Sequence, residues 1–380
     1  MTGTKRKLLI ISREPAPYKA DLYNALAAVG GWDVLVFYCA LRDWSPEGGH
    51  DFHDLPACAF QSRISDGRTL FSKLHGALSL VAVCIQYKPA LTIICGYQGI
   101  SYCVALLFCM ALRIPYAFWV DVFNNQPPRF GGHIGAAVRT ILRRIIFRTA
   151  KLVLVCGQPG SVSALAAGCP REKLVDFPYA VNVERLERSM PQHVPEACQR
   201  DLGSGQTIIL FSGRLIPRKG LSTLMRALST LPRELPWILW VEGEGPKRGE
   251  YEALSRRLDM EDSCRFLGFC QMELHAWLVL HAEIVVVPSL SDPWGIVVDE
   301  AMQLGKAVCA SDATGSALDR IADGENGVLF KAGDEEDLRK KLAALLCSKR
   351  MRRRLATAAR NTASVWGPAR NVKALSHAIT

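Results

Sequence analysis

The chain has 380 residues, which is too long for one ordinary hydrophobic core and fits two domains of ordinary size. Hydrophobic residues make up 49% and charged residues 22%, and this globular composition excludes a disordered chain. The formal net charge is +10, and residues 1–182 carry 19 Lys and Arg against 11 Asp and Glu. This basic first half favours a polyanionic partner, with nucleic acid ranked last because no zinc-site spacing, RNA-binding aromatic signature or long basic run occurs.

Short runs rich in Val and Ile alternate with longer helical patterns along the whole chain. They predict strands at residues 7–12, 33–39, 91–95, 116–121, 151–156 and 175–177, then at 207–212, 237–242, 265–267, 283–288, 307–310 and 327–330. Nearly continuous apolar strands between helices are typical of parallel sheets covered on both faces, so the fold class is α/β. An eight-stranded barrel is the rival architecture, but the number of strands and a break in mid-chain count against it.

The break lies at residues 183–206, which are polar and without strong periodicity. We interpret them as a linker between two doubly wound, Rossmann-like domains at residues 1–182 and 207–364. Residues 365–380 are expected to form a last helix that could pack back on the first domain. Open parallel sheets bind ligands at the carboxyl ends of their strands, so two such domains facing a cleft would hold one substrate on each wall.

Cysteines and apolar runs bear on the compartment. The 13 cysteines are scattered, odd in number and without a C-x-x-C pair, so we interpret them as buried free thiols in a reducing compartment, several of them within apolar runs: Cys39, Cys95, Cys103, Cys109 and Cys156. The first apolar run, residues 8–11, is too short for a signal peptide, which favours the cytoplasm. Residues 89–112 carry no charge, but the turn-forming residues at 96–99 favour a strand, a loop and a buried helix over a membrane span.

A first motif, FSGRLIPRKG at residues 211–220, follows a predicted strand and opens a helix. Gly213 permits a tight turn, and Arg214 and Lys219 lie on the loop at the carboxyl end of the strand. Helix N-termini attract anions and the two cations add full charges, so a diphosphate is the ligand that this loop favours. A basic surface loop is the alternative.

A second motif, PSLSDPWGIVVDEAMQLG at residues 288–305, has the same context. Asp292 lies in the loop and Glu300 about one turn into the next helix, where their carboxylates can accept hydrogen bonds from sugar and ribose hydroxyls. Backbone N–H groups near Gly295 can meet phosphate or sugar oxygens. Two solvated surface charges are the alternative, and EGEGP at residues 242–246 is weaker still, since a plain turn explains a lone G-x-G nearly as well.

Together these motifs resemble glycosyltransferase family 4, the retaining enzymes with the GT-B fold. The seven residues between Asp292 and Glu300 resemble the family's E-x7-E motif, with Pro-Ser before it and Glu-Ala-Met-x-x-Gly after it. The first motif resembles the family's phosphate-binding stretch. The segments EGEGP, FLG at 266–268 and GENG at 324–327 fit in order and spacing, and FPYAVN at 177–182 resembles the stretch before the linker. The resemblance covers nearly the whole chain and is stronger in the second half.

The resemblance implies transfer of a sugar from a nucleotide-diphosphate sugar to an acceptor, with retention of configuration. It assigns the departing diphosphate to Arg214 and Lys219, the donor sugar to Asp292 and the ribose to Glu300. Further donor contacts are expected at Gly213, Glu242, Phe266, Leu267, Gly295, Ile296 and Val297. Asp292 is one methylene shorter than the family's Glu at that position, so its reach toward a sugar hydroxyl differs and the donor-sugar preference stays open.

Charge development in the reaction indicates how the donor is activated. Breaking a sugar–phosphate bond places negative charge on the diphosphate, and fixed cations aimed at it lower the barrier. No strict Asp-x-Asp pair is present to hold a metal ion between phosphates, so Arg214 and Lys219 are expected to act without a metal and without a cofactor beyond the donor itself. The resemblance implies same-face attack, with the leaving phosphate helping to deprotonate the acceptor.

The first half is expected to bind the acceptor on loops that follow strands. Asp121 is the candidate for a contact in the catalytic region, with a loop or cap role as the alternative. The other acceptor-side candidates are Pro17, Tyr18, Tyr97, Gln98 and Asn124. Family habit and the basic first half favour a lipid-linked glycan of envelope or exopolysaccharide biosynthesis as the acceptor.

A basic stripe is expected on one helix, where cations recur at short intervals among apolar residues: Arg139, Arg143, Arg144, Arg148 and Lys151. Such a helix can lie on anionic lipid, which favours a peripheral position on the inner face of the cytoplasmic membrane. A solvated face of a packed helix is the alternative.

Three other functions compete with the transferase hypothesis. A homologue made inactive by the change at Asp292 could act as a partner subunit. A nucleotide-sugar epimerase on the same fold explains the phosphate loop and the D-x7-E spacing less well. A two-lobed binding protein would normally be secreted.

Overall fold

The computed structural model describes residues 5–13, 15–28, 31–39, 58–64, 70–96, 100–123 and 132–379, with side chains from residues 75 and 137 onward in the helices that begin at 70 and 132. The chain forms two compact units. The first contains the described residues up to 39, those from 58 to 180, and those from 368 onward, and the second contains residues 181–367.

The first unit is a parallel sheet with helices between its strands. The strands run in the order β3-β2-β1-β4-β5-β6-β7. The elements are β1 Arg6–Ser12, α1 Pro17–Ala28, β2 Trp32–Tyr38, β3 Gln61–Ile64, α2 Leu70–Tyr87, β4 Leu91–Cys95, α3 Ile100–Ala111, β5 Tyr116–Val120, α4 Gly132–Thr149, β6 Leu152–Val155, α5 Gly157–Ala166 and β7 Leu174–Asp176.

The second unit repeats this architecture with the strand order β10-β9-β8-β11-β12-β13, again all parallel. Its elements are α6 Val183–Arg188, α7 Glu196–Leu202, β8 Thr207–Ser212, α8 Leu221–Ser229, β9 Trp237–Glu242, α9 Arg248–Arg257, β10 Cys264–Gly268, α10 Met272–His281, β11 Ile284–Val287, α11 Ile296–Gln303, β12 Ala307–Ser311, α12 Gly315–Arg320, β13 Val328–Phe330, α13 Glu335–Cys347 and α14 Lys349–Ala363. The last helix, α15 Pro368–Ile379, belongs to the first unit.

Each sheet is buried on both faces, which explains the nearly continuous apolar strands. Along β8, Ile208 and Leu210 join one hydrophobic cluster, whereas Ile209 and Phe211 join the cluster on the opposite face. Successive side chains of a strand point to opposite faces, so both sets must be apolar when helices cover both faces. The α/β prediction of two Rossmann-like domains is therefore confirmed.

The twelve predicted strands are all present, and the described part of the chain contains one more. The added strand, β3 (Gln61–Ile64), lies at the edge of the first sheet and is exposed along its whole length. The described residues between 89 and 112 contain β4 and α3, the predicted strand and helix. None of the helices within the described ranges combines the length and the apolar character that a membrane span requires.

The segment predicted as a linker is structured. Helices α6 and α7 occupy much of residues 183–206, and their Leu186 and Cys198 are fully buried in the core of the second unit. At the other end of the chain, α15 packs against α1 and is tied by Asn371, whose amide donates to the Pro178 carbonyl, and by Arg370, which pairs with Asp176 at 2.6 Å. Residues 183–206 therefore contain two short helices, which their polar composition does not indicate.

The cysteines are free thiols, as predicted. Most of them are buried, as predicted, including Cys109 and Cys156. Burial raises the pKa of the Cys109 thiol to about 11. Cys103 is exposed, which corrects the prediction that it is buried, because it lies on the outer face of α3. An apolar run in a helix thus does not place every member in the core.

Candidate functional site

The strand order of the second sheet locates a binding crevice. The order reverses between β8 and β11, so the connections that leave the carboxyl ends of these neighbouring strands run to opposite sides. Ligands of doubly wound sheets bind at such a switch point. The loop after β8 carries the first sequence motif and the loop after β11 carries the second, so the fold brings the two motifs together.

The two loops are joined through their backbones. A 3₁₀ turn, Pro217–Lys219, ends at Gly220 in the left-handed conformation (φ 72°). A Cβ atom on Gly220 would lie 1.8 Å from the Pro288 carbonyl oxygen, so only glycine permits this approach. Next to it, the Leu290 amide donates to the Arg218 carbonyl at 2.7 Å. The cations of one loop are thereby fixed against the carboxylate of the other.

An ion pair connects the two motifs. Lys219 Nζ lies 2.5 Å from Asp292 Oδ2, and the two side chains are 19% and 9% exposed. Arg218 Nη1 is 4.0 Å from the other oxygen of Asp292. Arg214 is half-buried on the same loop, which begins with the Gly213 amide donating to the Glu242 carbonyl at 3.0 Å. The site therefore places the cations of Arg218 and Lys219 within 4.0 Å of the Asp292 carboxylate, with Arg214 on the same loop.

The loop after β11 turns into α11 at Gly295, the N-cap residue (φ 82°). A Cβ atom there would lie 2.6 Å from Thr314 Cγ2, so the loop is packed closely against the start of α12. Ser316 supports the turn by donating to the Gly295 carbonyl at 2.8 Å. Ile296 and Val297 are half-buried in the first turn of α11, where backbone N–H groups attract anions.

Behind this loop lies a buried ionic cluster around Asp299. Its carboxylate accepts a hydrogen bond from the Trp294 indole at 2.7 Å and one from Arg320 at 3.3 Å. The Arg320 guanidinium lies between two rings, 5.3 Å from Trp294 and 4.3 Å from Trp366. Burial raises the pKa of Asp299 to about 7 in spite of Arg320 and the indole. The cluster fixes Trp294, which is two residues from Asp292.

A second buried cluster lies between β9, α10 and α11. His275 Nδ1 is 2.9 Å from both carboxylate oxygens of Glu242, and its Nε2 is 3.1 Å from Glu300 Oε2. All three residues are at most 8% exposed. Burial by itself would lower the pKa of His275, but the two carboxylates outweigh it and raise that pKa well above 6.5. The two carboxylates therefore favour the imidazolium form of the ring.

This shift predicts a pH dependence of stability. Because the folded-state pKa of His275 is raised, its contribution is complete below the unfolded-state pKa of about 6.5 and is lost as the pH rises toward the folded-state value. Relative to His275→Gln, the wild-type free energy of unfolding should fall above pH 6.5 by up to about 1.4 kcal/mol per pH unit. Urea unfolding of both proteins at pH 6, 7, 8 and 9 measures this difference, and a difference that stays constant with pH would contradict the assignment.

Comparison with known proteins identifies the part of the chain that carries these clusters. Residues 198–362 match the family model described as glycosyl transferases group 1. The second unit carries a group 1 glycosyltransferase domain. The match extends from α7 to α14 and includes every residue of the crevice, so the sequence resemblance is confirmed at the level of this family.

Individual relatives are similar to this chain over part of their own length. The lipopolysaccharide core biosynthesis glycosyltransferase LpsE of Rhizobium meliloti is 27% identical over 209 residues, which are 53% of this chain and 56% of that protein. The uncharacterized glycosyltransferase YqgM of Bacillus subtilis is 35% identical over 108 residues, 28% of this chain and 30% of that protein. The chain thus matches about half of these curated relatives' length or less.

Solved structures superimpose on nearly the whole of this chain. Anabaena HepE in complex with UDP superimposes with a TM-score of 0.76 at 18% identity, covering 98% of this chain and 99% of that chain. WaaG, a glycosyltransferase involved in lipopolysaccharide biosynthesis, gives a TM-score of 0.70 at 18% identity, with coverage of 98% and 99%. These likenesses confirm the predicted GT-B fold.

Most residues predicted for the donor lie on the crevice loops of the group 1 glycosyltransferase domain, whereas four have side chains that also pack inside the domain: Phe266, Leu267, Glu242 and Glu300. Phe266 and Leu267 are half-buried, and they pack against the hydrophobic clusters on opposite faces of the sheet. The Glu242 carboxylate is buried on His275.

His275 and Ser316 were not predicted, and neither belongs to a motif. His275 is a lone histidine within a helix, and only the packing of α10 against β9 and α11 gives it two carboxylate partners. Within the described ranges, no group of three or more His, Cys, Asp or Glu side chains could hold a metal ion. The side chains of Glu242, His275 and Glu300 are hydrogen-bonded to one another.

The first unit brings together two of the predicted acceptor-side residues and one that was not predicted. The Tyr179 hydroxyl donates to Asp121 Oδ1 at 2.7 Å, and the Tyr18 ring lies edge-on to the Tyr179 ring at 4.9 Å. Burial, followed by the Asp121 charge, raises the pKa of Tyr179 well above its ordinary value, so the hydroxyl stays a donor. Pro17 is buried at the start of α1. The predicted residues Tyr97, Gln98 and Asn124 lie outside the described residues.

The residues of the predicted basic stripe are partly buried and partly exposed in the structure. Arg143 is buried, with its guanidinium 5.3 Å from the Phe123 ring, so it is not part of an exposed stripe. Lys151 donates to the Ile379 carbonyl at 3.0 Å. Arg144 and Arg148 are exposed, beside three exposed apolar side chains of the same helix, Val138, Ile141 and Ile145.

Proposed function

We propose that the chain is a retaining glycosyltransferase that transfers a sugar from a nucleotide-diphosphate sugar to an acceptor. The observation that carries the proposal is the Lys219–Asp292 ion pair at the switch point of the group 1 glycosyltransferase domain, with Arg214 on the same loop. Cations bind a diphosphate and a carboxylate binds sugar hydroxyls, so the pair contains one group for each half of a donor. HepE, a protein of the same fold, is described in complex with UDP-glucose, which supports a nucleotide-sugar donor.

The chemistry follows from where charge develops. When the donor binds, Lys219 exchanges Asp292 for the diphosphate. As the sugar–phosphate bond breaks, the acceptor hydroxyl bonds to the anomeric carbon on the same face and gives its proton to the leaving phosphate, while Arg214 and Lys219 stabilise the growing negative charge of the diphosphate. Asp292, released from the lysine, accepts hydrogen bonds from the donor sugar. Glu300 binds the ribose, and the N–H groups of Ile296 and Val297 contact phosphate or sugar oxygens. We further propose that no metal or other cofactor takes part, because the cations perform the function of a metal ion between phosphates.

A donor panel tests this proposal. We expect purified protein to release nucleoside diphosphate from one UDP- or GDP-sugar in the presence of EDTA, and Arg214→Ala to abolish the release. Loss of release on adding EDTA would contradict the metal-free mechanism alone. If the protein bound and cleaved none of the donors, an inactive homologue would be favoured, and formation of a second nucleotide sugar would favour an epimerase. The family match of the donor domain supports the transferase over both.

For the acceptor, we propose a lipid-linked glycan of lipopolysaccharide or exopolysaccharide biosynthesis. The match to LpsE supports it, as does the fold shared with WaaG. Tyr18, Asp121 and Tyr179 form the acceptor-side cluster in the first unit. Asp121 accepts hydrogen bonds and Tyr18 offers an aromatic face, and both properties suit a sugar ring.

Lipid acceptors require access to a membrane, and we propose that α4 provides it from the cytoplasmic side. Its exposed face combines Val138, Ile141 and Ile145, which are 59%, 56% and 40% exposed, with the cations of Arg144 and Arg148. Apolar side chains beside basic ones are the composition that binds an anionic lipid surface. The free thiols are consistent with a reducing compartment.

Vesicle sedimentation measures this association. We expect the protein to sediment with phosphatidylglycerol vesicles, less so in 0.5 M NaCl, and not with phosphatidylcholine. Replacing Val138, Ile141 and Ile145 by serine should weaken binding about tenfold or more, since their apolar surface would no longer leave water. Met190→Ser, which changes an exposed apolar residue of the second unit, is the matched control. Equal sedimentation of the α4 variant and the wild type would exclude α4 as the contact.

A further inference from the structure

The buried histidine of the donor domain connects two carboxylates from different elements. Glu242 ends β9, His275 lies within α10 and Glu300 lies in α11. The ring contacts Glu242 through Nδ1 at 2.9 Å and Glu300 through Nε2 at 3.1 Å. The loops that follow β9 and precede α11 both border the crevice, so the cluster lies directly behind the proposed nucleotide site.

The geometry of the cluster determines how its protons are arranged. Both ring nitrogens face carboxylate oxygens, and a neutral imidazole has only one N–H to donate. Two N–H groups satisfy both carboxylates at once, so the arrangement requires the cationic ring when both acids are ionised. One cation between two carboxylates leaves a single net negative charge in a buried place.

We propose that His275 is a positioning residue that orients Glu300 toward the ribose hydroxyls of a nucleoside diphosphate. The inference rests on the proposed function, which assigns the ribose to Glu300. Holding Oε2 on the ring fixes the rotation of the carboxylate and directs Oε1 to the ligand. A Glu side chain otherwise loses rotamer freedom when it binds, so fixing it in advance strengthens the contact. Glu242 anchors the ring from its other side.

Two substitutions separate this function from a merely structural one. In His275→Gln the amide nitrogen takes the place of Nε2, so the donor to Glu300 is kept and the donor to Glu242 is lost. In His275→Asn the amide nitrogen takes the place of Nδ1, so Glu242 keeps its donor and Glu300 loses it. Both variants remove the same positive charge and one of the two hydrogen bonds. A structural function predicts similar effects of the two, whereas positioning of Glu300 predicts a difference.

The experiment uses calorimetric binding of UDP or GDP, whichever the wild type binds, and of its 2′,3′-dideoxy analogue. The ratio of the two affinities reports the ribose contact and does not depend on the folded fraction. Glu300→Ala gives the ratio without the carboxylate. His281→Asn is the matched control, because His281 ends the same helix and bonds the Trp277 carbonyl.

We expect the Asn variant to bind the ribonucleotide about tenfold more weakly and to show the ratio of Glu300→Ala, while the Gln variant keeps a ratio within about threefold of the wild type. In turnover, donor KM should rise in the Asn variant with kcat little changed. Equal ratios in the Asn and Gln variants would overturn the inference while leaving the proposed function intact. A wild type that binds neither UDP nor GDP would overturn the proposed function itself.

Discussion

Lys219→Ala is expected to lower the turnover of the nucleotide-sugar donor by about two to three orders of magnitude, because a preorganised donor to the departing diphosphate is lost. The ammonium lies 2.5 Å from Asp292 and is only 19% exposed, so the ion pair holds it at the crevice until a donor binds. Steady-state release of nucleoside diphosphate measures the effect. Lys219→Arg keeps the charge and should retain more activity than the alanine variant.

The matched control is Arg226→Ala. Arg226 lies on α8, the helix that the same loop opens, and its partner Glu335 is 3.6 Å away with both side chains about half exposed. Such surface pairs contribute little, so turnover should stay within about twofold of the wild type. If Lys219→Ala also stayed within that range, the proposed contact with the diphosphate would be wrong. A melting temperature for each variant excludes general unfolding as the cause of any loss.

The parts of the site that could be predicted from the sequence lie in loops that follow buried strands. Arg214, Lys219 and Asp292 are polar residues directly after apolar runs, and parallel strands place their carboxyl ends at one edge of the sheet. Once two such loops are recognised, their meeting at the switch point follows from the strand order. The distance of 2.5 Å between Lys219 and Asp292 does not, because it depends on the close contact of Gly220 with Pro288.

Residues on helices were predicted less well, for two different reasons. Arg143 lies three residues before Ile146 and four before Phe147, so the helical period places it on the buried face. The prediction of a continuous basic stripe did not take this period into account. His275 is different, since its partners Glu242 and Glu300 are 33 and 25 residues away. No local pattern predicts contacts that depend on the packing of three elements.

Edge position explains the strand that was not predicted. β3, with the sequence Gln-Ser-Arg-Ile, pairs on one side only with β2 and is exposed throughout. Because β3 has no buried face, it does not need the apolar residues by which the other strands were predicted. The same reasoning applies to α6 and α7, where Leu186 and Cys198 are the buried apolar residues, too few to produce a visible period.

Gly220→Ala is expected to destabilise the second unit by about 3 kcal/mol or more. Gly220 joins the 3₁₀ turn to α8 at φ 72°, and an added Cβ would lie 1.8 Å from the Pro288 carbonyl oxygen. Both the left-handed backbone and the steric conflict act in the same direction. Because the conflict involves backbone, a side-chain rotation cannot relieve it. Urea unfolding followed by tryptophan fluorescence gives the change in free energy.

Gly249→Ala is the control for the glycine substitution itself. Gly249 lies in the first turn of α9, where nothing within 4 Å would meet a Cβ, so alanine should be neutral or stabilise by up to about 1 kcal/mol. Opposite signs for the two variants would show that the close contact at Gly220, rather than a general effect of replacing glycine, holds the two loops together. Since that contact places Lys219 beside Asp292, the folded fraction of Gly220→Ala should also lose donor turnover. Full turnover in this variant would contradict the dependence of the site on this junction.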